Sequence, residues 1–417
     1  MIKPLQLLIV FLLLVSFTLH GEGSKQLTPN KSTSPLTDTN NDKSGYLSHD
    51  ANLPSATGVA ISSLSFLKPA GFSRNGATYS KDHRLYIRVK AGERLYYGVR
   101  RAIHDQTTAN QADLIITLHR TNVATGVDDG TYSTSTTLTR DTRSTRQMLL
   151  TANQNGVIDS LAEAEIGPNR ISIGGKAAVT TSYTPLSIIN NTTTDYDYYV
   201  EFTQVGEANM ADAQRFSVYD LWDFTVIDAS GNEKQGRMRS KLWSFSSGGA
   251  SNVFSKNFNM FPLIPSEDQV GKYFVKKVEL AGIAPQNYFR FVTNAFGSDA
   301  TTGTTFEERR KSQMSQKDYP EFYSFVNNPD VIEWPSVTTP TFRVNSINNY
   351  CNTATNGGRS VFNLYSSDKS TFVVLIELNG TAGYQAGSTD VLLEQSGAAG
   401  TRTLEWNGLN GLGQPVS

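Results

Sequence analysis

The chain has 417 residues, with 37 Lys and Arg against 38 Asp and Glu, and a net charge of −1. This balance argues against binding to a nucleic-acid backbone, which needs a surplus of basic groups. Charged residues make up only 18% of the sequence, and the abundance of Ser, Thr, Asn and Gly is typical of β-rich, turn-rich extracellular proteins. The single cysteine, Cys351, excludes an intramolecular disulfide and a multi-thiolate metal site.

The N-terminus has the pattern of an export signal. An apolar run, Leu5–Leu19, follows a basic residue and precedes a glycine-rich stretch, which predicts a secretory signal peptide over residues 1–23. An uncleaved membrane anchor is the alternative, but a spanning helix usually needs about 20 apolar residues. We therefore expect recognition by the export machinery, a mature chain that starts near Glu22 or Ser24, no membrane span after cleavage, and a secreted or outer-surface location.

The middle of the chain reads as a linker followed by strands. Residues 24–54 are rich in Ser, Thr, Asn, Asp and Pro and predict a flexible linker. Apolar residues then alternate with polar ones, as in Leu85–Val89 and Tyr196–Phe202, which predicts half-buried strands. We interpret residues 55–205 as one β-sandwich domain and residues 206–337 as a second one, so the predicted fold class is all-β with tandem sandwiches.

A third block, residues 341–417, ends in the most specific string of the sequence, TRTLEWNGLNGLGQPVS. Its Asn and Gly residues allow two tight turns in a few positions, and the residues that form this predicted structural turn are Trp406, Asn407, Gly408, Asn410 and Gly413. The string resembles the Trp-Asp-Gly-x-Asp-x-x-Gly-x-x-Val signature of the immunoglobulin-like domain of flagellar hook-capping proteins. Asn407 and Asn410 stand where the signature has aspartates, which weakens any cation-binding role for this loop.

The segments 360–417 and, more loosely, Asp220–Phe245 also resemble large surface proteins of gliding bacteria that use type IX secretion. The resemblance implies an exported structural or adhesive protein with immunoglobulin-like or jelly-roll-like sandwiches, without catalytic residues, whose partners are cell-surface or polysaccharide ligands. It also implies that residues 341–417 are an incomplete domain, because the related domain continues into a closing strand. We therefore expect the chain to be the N-terminal part of a longer modular protein.

Two other function classes remain open from the residues. An array of carbohydrate-binding modules would use aromatic side chains as stacking platforms, and the candidates are Tyr97, Trp222, Trp243 and Trp334; the alternative for each is a place in a sandwich core. A secreted hydrolase would need a pocket with converging carboxylates or a histidine from the first third of the chain, which supplies His83, His104 and His119.

Calcium is the one cofactor that the sequence suggests. Glu377, Asn379 and Asp390 bracket a glycine-rich loop and offer the hard oxygen ligands that calcium prefers. A second acidic group, Asp195, Asp197 and Glu201, would fall on one face of the strand DYDYYVEF. The simpler interpretation of this strip is the solvent face of an antiparallel sheet.

Overall fold

A computed structural model describes the chain at residues 21–27, 46–49, 73–74, 77–78, 81–104, 113–141, 150–204, 217–246, 254–255, 257–283, 288–297, 305, 308–309, 311, 320–337, 340–352 and 357–416. Antiparallel strands provide nearly all of its regular structure, so the all-β prediction is confirmed. The described helices are one short α-helix and two 3₁₀ turns. In the described part of the chain, none is long and apolar enough to cross a membrane.

The strands follow one another along the chain in two groups. The first twelve are β1 (Glu22–Gly23), β2 (Tyr46–His49), β3 (Ser73–Arg74), β4 (Ala77–Thr78), β5 (Tyr86–Val89), β6 (Arg94–His104), β7 (Leu114–Asn122), β8 (Thr134–Leu138), β9 (Leu186–Ile189), β10 (Tyr196–Gln204), β11 (Ser217–Ile227) and β12 (Glu233–Lys234). The others are β13 (Met238–Ser240), β14 (Leu242–Ser246), β15 (Asn259–Pro265), β16 (Tyr273–Val275), β17 (Val278–Glu279), β18 (Tyr288–Val292), β19 (Tyr323–Phe325), β20 (Phe342–Asn352), β21 (Gly357–Ser366), β22 (Ser370–Ile376), β23 (Val391–Gly397) and β24 (Gly400–Trp406).

The chain forms two units, and the first of them contains the described residues up to Leu263 together with 275–333. Its two sheets have the strand orders β18-β14-β2-β11-β6-β9 and β15-β19-β13-β5-β10-β7-β8. Alternate residues point inward and fill one apolar core with members from both sheets, among them Leu95, Leu118, Phe202, Trp222, Phe224, Met238, Trp243 and Phe245. The period-two alternation of the sequence therefore becomes the buried face of a sandwich.

The predicted boundary between residues 205 and 206 is wrong. Strands from both sides of it alternate within each sheet, because β11 pairs with β6, and β13 pairs with β5. Residues 55–205 and 206–337 are therefore not two tandem sandwiches, and most of both belongs to the first unit. Alternation along a strand shows which residues face inward, but the strand's partner is set by distant residues that bury the complementary face.

The second unit contains Ile264–Phe274 and Trp334–Ser417 and therefore includes most of the predicted third domain. Strands β20, β21 and β24 form one sheet, and β22 pairs with β23. Leu364, Phe372 and Leu404 cluster between these strands. The incompleteness expected for residues 341–417 stays a prediction.

Residues Gly21–Leu27, which lie next to the predicted signal sequence, are built into the first unit. Strand β1 pairs with β11, and the Glu22 carboxylate accepts hydrogen bonds from the backbone N–H groups of Arg237 (2.7 Å) and Met238 (2.8 Å). Leu27 is fully buried in the core. A Cβ at Gly23 would lie 2.4 Å from the Trp222 carbonyl oxygen, so this position accepts only glycine without rearrangement.

These contacts correct the prediction of a flexible linker over 24–54. Residues Ser24–Gln26 form a 3₁₀ turn, and β2 pairs with β11 and β14. The composition hid them because serine and glutamine here bond to backbone groups, including Trp222 and Gly21, instead of water. The rest of 24–54 and the predicted signal peptide up to residue 20 lie outside the described residues.

We predict that burial of Glu22 makes the protein less stable as the pH rises. Burial raises the pKa of Glu22 from 4.5 to about 7, although the backbone N–H groups of Arg237 and Met238 oppose the shift. A carboxyl group whose pKa is raised by folding stabilises the fold below pH 4.5, and this contribution is lost as the pH rises through 7. The difference corresponds to about 3 kcal/mol.

The measurement is the free energy of unfolding by urea between pH 4 and pH 8 for the protein and for Glu22→Gln. The amide oxygen of glutamine accepts the same two N–H bonds but does not titrate, so the variant should lose this part of the pH dependence. Equal pH profiles for the two proteins would contradict the prediction.

Candidate functional site

The aromatic residues considered for carbohydrate stacking do not form a binding face. Tyr97, Trp222 and Trp243 are buried in the core of the first unit, and Trp334 is also buried. The Trp243 indole N–H donates to the Ser324 carbonyl oxygen at 2.8 Å. The stacking prediction is therefore wrong for these residues, because the inward face of a closed sandwich takes the largest apolar side chains.

The oxygen atoms considered for calcium are occupied by protein donors. Asp390 accepts the backbone N–H groups of Leu378 (2.9 Å), Asn379 (3.1 Å) and Gln385 (3.1 Å) and the Asn379 side-chain amide (2.8 Å). Glu377 accepts from the Gly383 N–H at 2.6 Å. Burial acts to raise the pKa of Asp390, but these donors hold it below its usual value. The carboxylates thus close their own loop, which corrects the calcium prediction, and the described residues contain no metal-ligand cluster.

The acidic strip on β10 is a line of ion pairs. Asp197 lies between Arg88 (2.6 Å) and Arg239 (2.5 Å), and Glu201 contacts His119 at 2.9 Å. Burial acts to raise the pKa of Asp197, but the two guanidinium groups outweigh it and hold the pKa below its ordinary value. The side of this sheet that faces away from the core is therefore a packed charged layer, and its acids are already paired.

The turn at the end of the chain has the geometry that its Asn and Gly residues allow. Gly408 and Gly413 have φ angles of +79° and +77°, and the Trp406 indole N–H donates to the Leu409 carbonyl oxygen at 2.7 Å. The Asn410 side chain accepts two backbone N–H groups at 2.9 Å. These residues shape the backbone and present no converging chemical groups.

The concave site of the first unit lies on the side of β6 that faces away from the core. A cavity of about 420 Å³ opens there, which is in the size range of small-molecule sites. Its walls come from β6, from the start of β9 and from the segments around residues 170 and 180, and the lining residues are Arg94, Tyr96, Asn169, Arg170, Ile171, Ala178, Val179, Thr180, Thr184, Pro185 and Ser187. Most of the lining surface is apolar.

A short hairpin forms the outer wall of this cavity. Arg170 and Val179 exchange backbone hydrogen bonds at 2.8 and 2.9 Å. The hairpin tip rests on the turn after β11, where a Cβ at Gly174 would lie 2.2 Å from the Ser230 carbonyl oxygen. A Cβ at Gly231 would lie 2.5 Å from the Ile173 carbonyl oxygen. Two glycines in close backbone contact thus fix the wall against the sheet.

The polar groups of the cavity are mainly cationic. The guanidinium of Arg170 pairs with Glu233, whereas Arg94 lies over the Tyr96 ring, 5.8 Å from its centroid. Burial raises the pKa of Tyr96 above its ordinary value, and the charges of Arg94 and Arg170 oppose this, so the hydroxyl stays neutral and can donate a hydrogen bond. The cavity can therefore hold a negatively charged group next to an apolar body.

Sequence reasoning missed this cavity. Arg94 and Tyr96 occupy the polar positions of a strand whose apolar positions drew attention, and Arg170 lies more than seventy residues away in an irregular segment. The one available signal was an arginine and a tyrosine two residues apart, which share a strand face.

Comparison with protein-family models, curated proteins and solved structures finds no match for this chain. The function therefore has to be argued from the residues and geometry of the chain itself.

We predict that Asp197→Asn strongly destabilises the protein. The substitution removes the carboxylate shared by Arg88 and Arg239 and leaves two buried guanidinium groups without it, which should cost about 3–5 kcal/mol. Glu201→Gln is the matched control on the same strand, because its pair with His119 is more exposed and should cost about 1 kcal/mol or less. Urea unfolding measures both, and similar losses would contradict the proposed role of Asp197.

A second prediction concerns the cavity wall. Gly174→Ala should destabilise the protein more than Gly175→Ala, although both residues have positive φ angles, +58° and +80°. Alanine in this backbone region costs about 1–2 kcal/mol, and only Gly174 adds a clash with backbone, worth about 1–3 kcal/mol more. Thermal and urea unfolding should rank the variants in this order; the reverse order would show that the hairpin does not rest on Ser230.

Proposed function

We propose that the protein is an exported structural or adhesive protein of the bacterial surface, without catalytic activity. Support comes from the apolar Leu5–Leu19 run, the uncharged polar composition, the all-β sandwich and the resemblance of residues 360–417 to surface proteins. The proposal includes type IX secretion as the route that this resemblance implies. A surface protein of this kind needs a stable scaffold and a contact region, and the cavity beside β6 is the candidate contact region.

The observation that carries the proposal is the close succession of leader and fold. The apolar run ends at Leu19, and from Gly21 onward the chain is inserted between strands of the first unit, with Glu22 buried. A helix that continued from the apolar run could not include Gly21–Gly23, because these residues have extended or strand geometry. The apolar run is therefore separated sharply from the folded protein, as expected of a removable leader.

The buried segment also refines the expected processing site. Cleavage before Ser24 would remove Glu22, whose carboxylate accepts the N–H groups of Arg237 and Met238. It would also remove β1 from its pairing with β11. We therefore predict a mature N-terminus at or before Glu22.

The test is expression of the full chain in a bacterium with an outer membrane, followed by fractionation, labelling of intact cells and N-terminal sequencing. We expect the protein outside the inner membrane with its N-terminus between Gly21 and Glu22. The control Leu12→Arg/Leu13→Arg interrupts the apolar run and should keep the chain in the cytoplasm with Met1 retained. Material that is exported with Met1 intact, or a chain that stays in the cytoplasm, would overturn the proposal.

A further inference from the structure

Arg94 is the exceptional charged residue of the cavity. Its Nε atom is buried and has no hydrogen-bond partner, and no ion pair joins its guanidinium to an acid in the described part of the chain. A buried donor without a partner costs free energy that a bound acceptor would restore. The position is therefore prepared for a group that the protein itself does not supply.

The other arginines of the same unit show how unusual this is. Those on the sheet faces and their connecting loops contact carboxylates, in the pairs Arg84–Asp128, Arg88–Asp197, Arg100–Asp220, Arg120–Asp129, Arg170–Glu233, Arg237–Asp330 and Arg239–Asp197. The fold thus places a carboxylate opposite arginine after arginine, and opposite Arg94 it places the cavity.

The remaining lining groups narrow the chemistry of a ligand. No acidic residue lines the cavity, and Arg170 is already neutralised by Glu233. Asn169 is committed to the Ser182 backbone, since its side chain both donates to and accepts from that residue, at 2.6 and 2.8 Å. The charge to be matched is thus the single charge of Arg94, while Ile171, Val179 and other residues provide an apolar wall.

We propose that this cavity binds a small monocarboxylate with an apolar body, held by the guanidinium of Arg94. A guanidinium presents parallel N–H donors that match the two oxygens of a carboxylate. A phosphate monoester carries nearly two charges and would leave one of them unmatched in this cavity. The aliphatic part of the ligand lies against Ile171 and Val179, and the neutral Tyr96 hydroxyl borders the charged end.

The probe is octanoate, titrated into the purified protein by isothermal calorimetry, with octanol, octylamine and octyl phosphate as comparators. We expect octanoate to bind at one site and to bind more tightly than each comparator. Arg94→Met keeps the length of the side chain and removes its donors, so it should weaken octanoate binding about tenfold or more. Arg343→Met, in the second unit, is the control and should leave binding unchanged.

A second variant keeps the test decisive if Arg94→Met does not fold. Ala178 is an exposed residue of the cavity lining, and Ala178→Trp should narrow the cavity and abolish binding while the protein stays folded. Lack of octanoate binding, equal binding of octanol, tighter binding of octyl phosphate, or unchanged binding by the folded variants would each overturn the proposal. None of these outcomes bears on export, because the purified protein is used.

Discussion

The pairing of β6 with β11 is the constraint on which the rest of the first unit depends. It joins Arg94 to Ile227 at one end and His104 to Ser217 at the other, across more than a hundred residues of chain. Closing such a loop costs entropy that local contacts cannot offset. The inward residues of both strands supply the compensation by burial, and they include Leu95, Tyr97, Val99, Trp222, Phe224 and Val226. Arg94 and Tyr96 face the cavity because the same pleat turns Leu95 into the core.

The second sheet shows what happens when the outward face of a strand is also covered. Tyr86 and Arg88 alternate with the core residue Ile87, yet all three are buried. Charges in such a layer are stable only when they are paired and hydrogen-bonded, and Asp197 meets this need for both Arg88 and Arg239. The acidic strip thus belongs to the scaffold, and its charges are unavailable to a cation or a sugar.

Local pattern predicted what depends on local chemistry. It identified the all-β class, strands such as Tyr196–Gln204 and the glycine turns at Gly408 and Gly413. It failed where distant residues decide the outcome, since β13 pairs with β5 across about 150 residues. Arg94 looks like any polar strand residue in the sequence; only the folded chain shows that its neighbours carry no opposite charge.

The buried N-terminal segment orders the steps of export if the leader is removed as proposed. A peptidase acts on extended, accessible backbone, whereas folded Glu22 is buried and paired with Phe224 of β11. Cleavage next to Glu22 therefore has to precede the docking of β1. Lys25 then brings its ammonium group to 3.8 Å from the buried Asp223 carboxylate. Because that carboxylate is desolvated, the segment that follows the leader supplies a charge that the core needs, and the sandwich is completed only after processing.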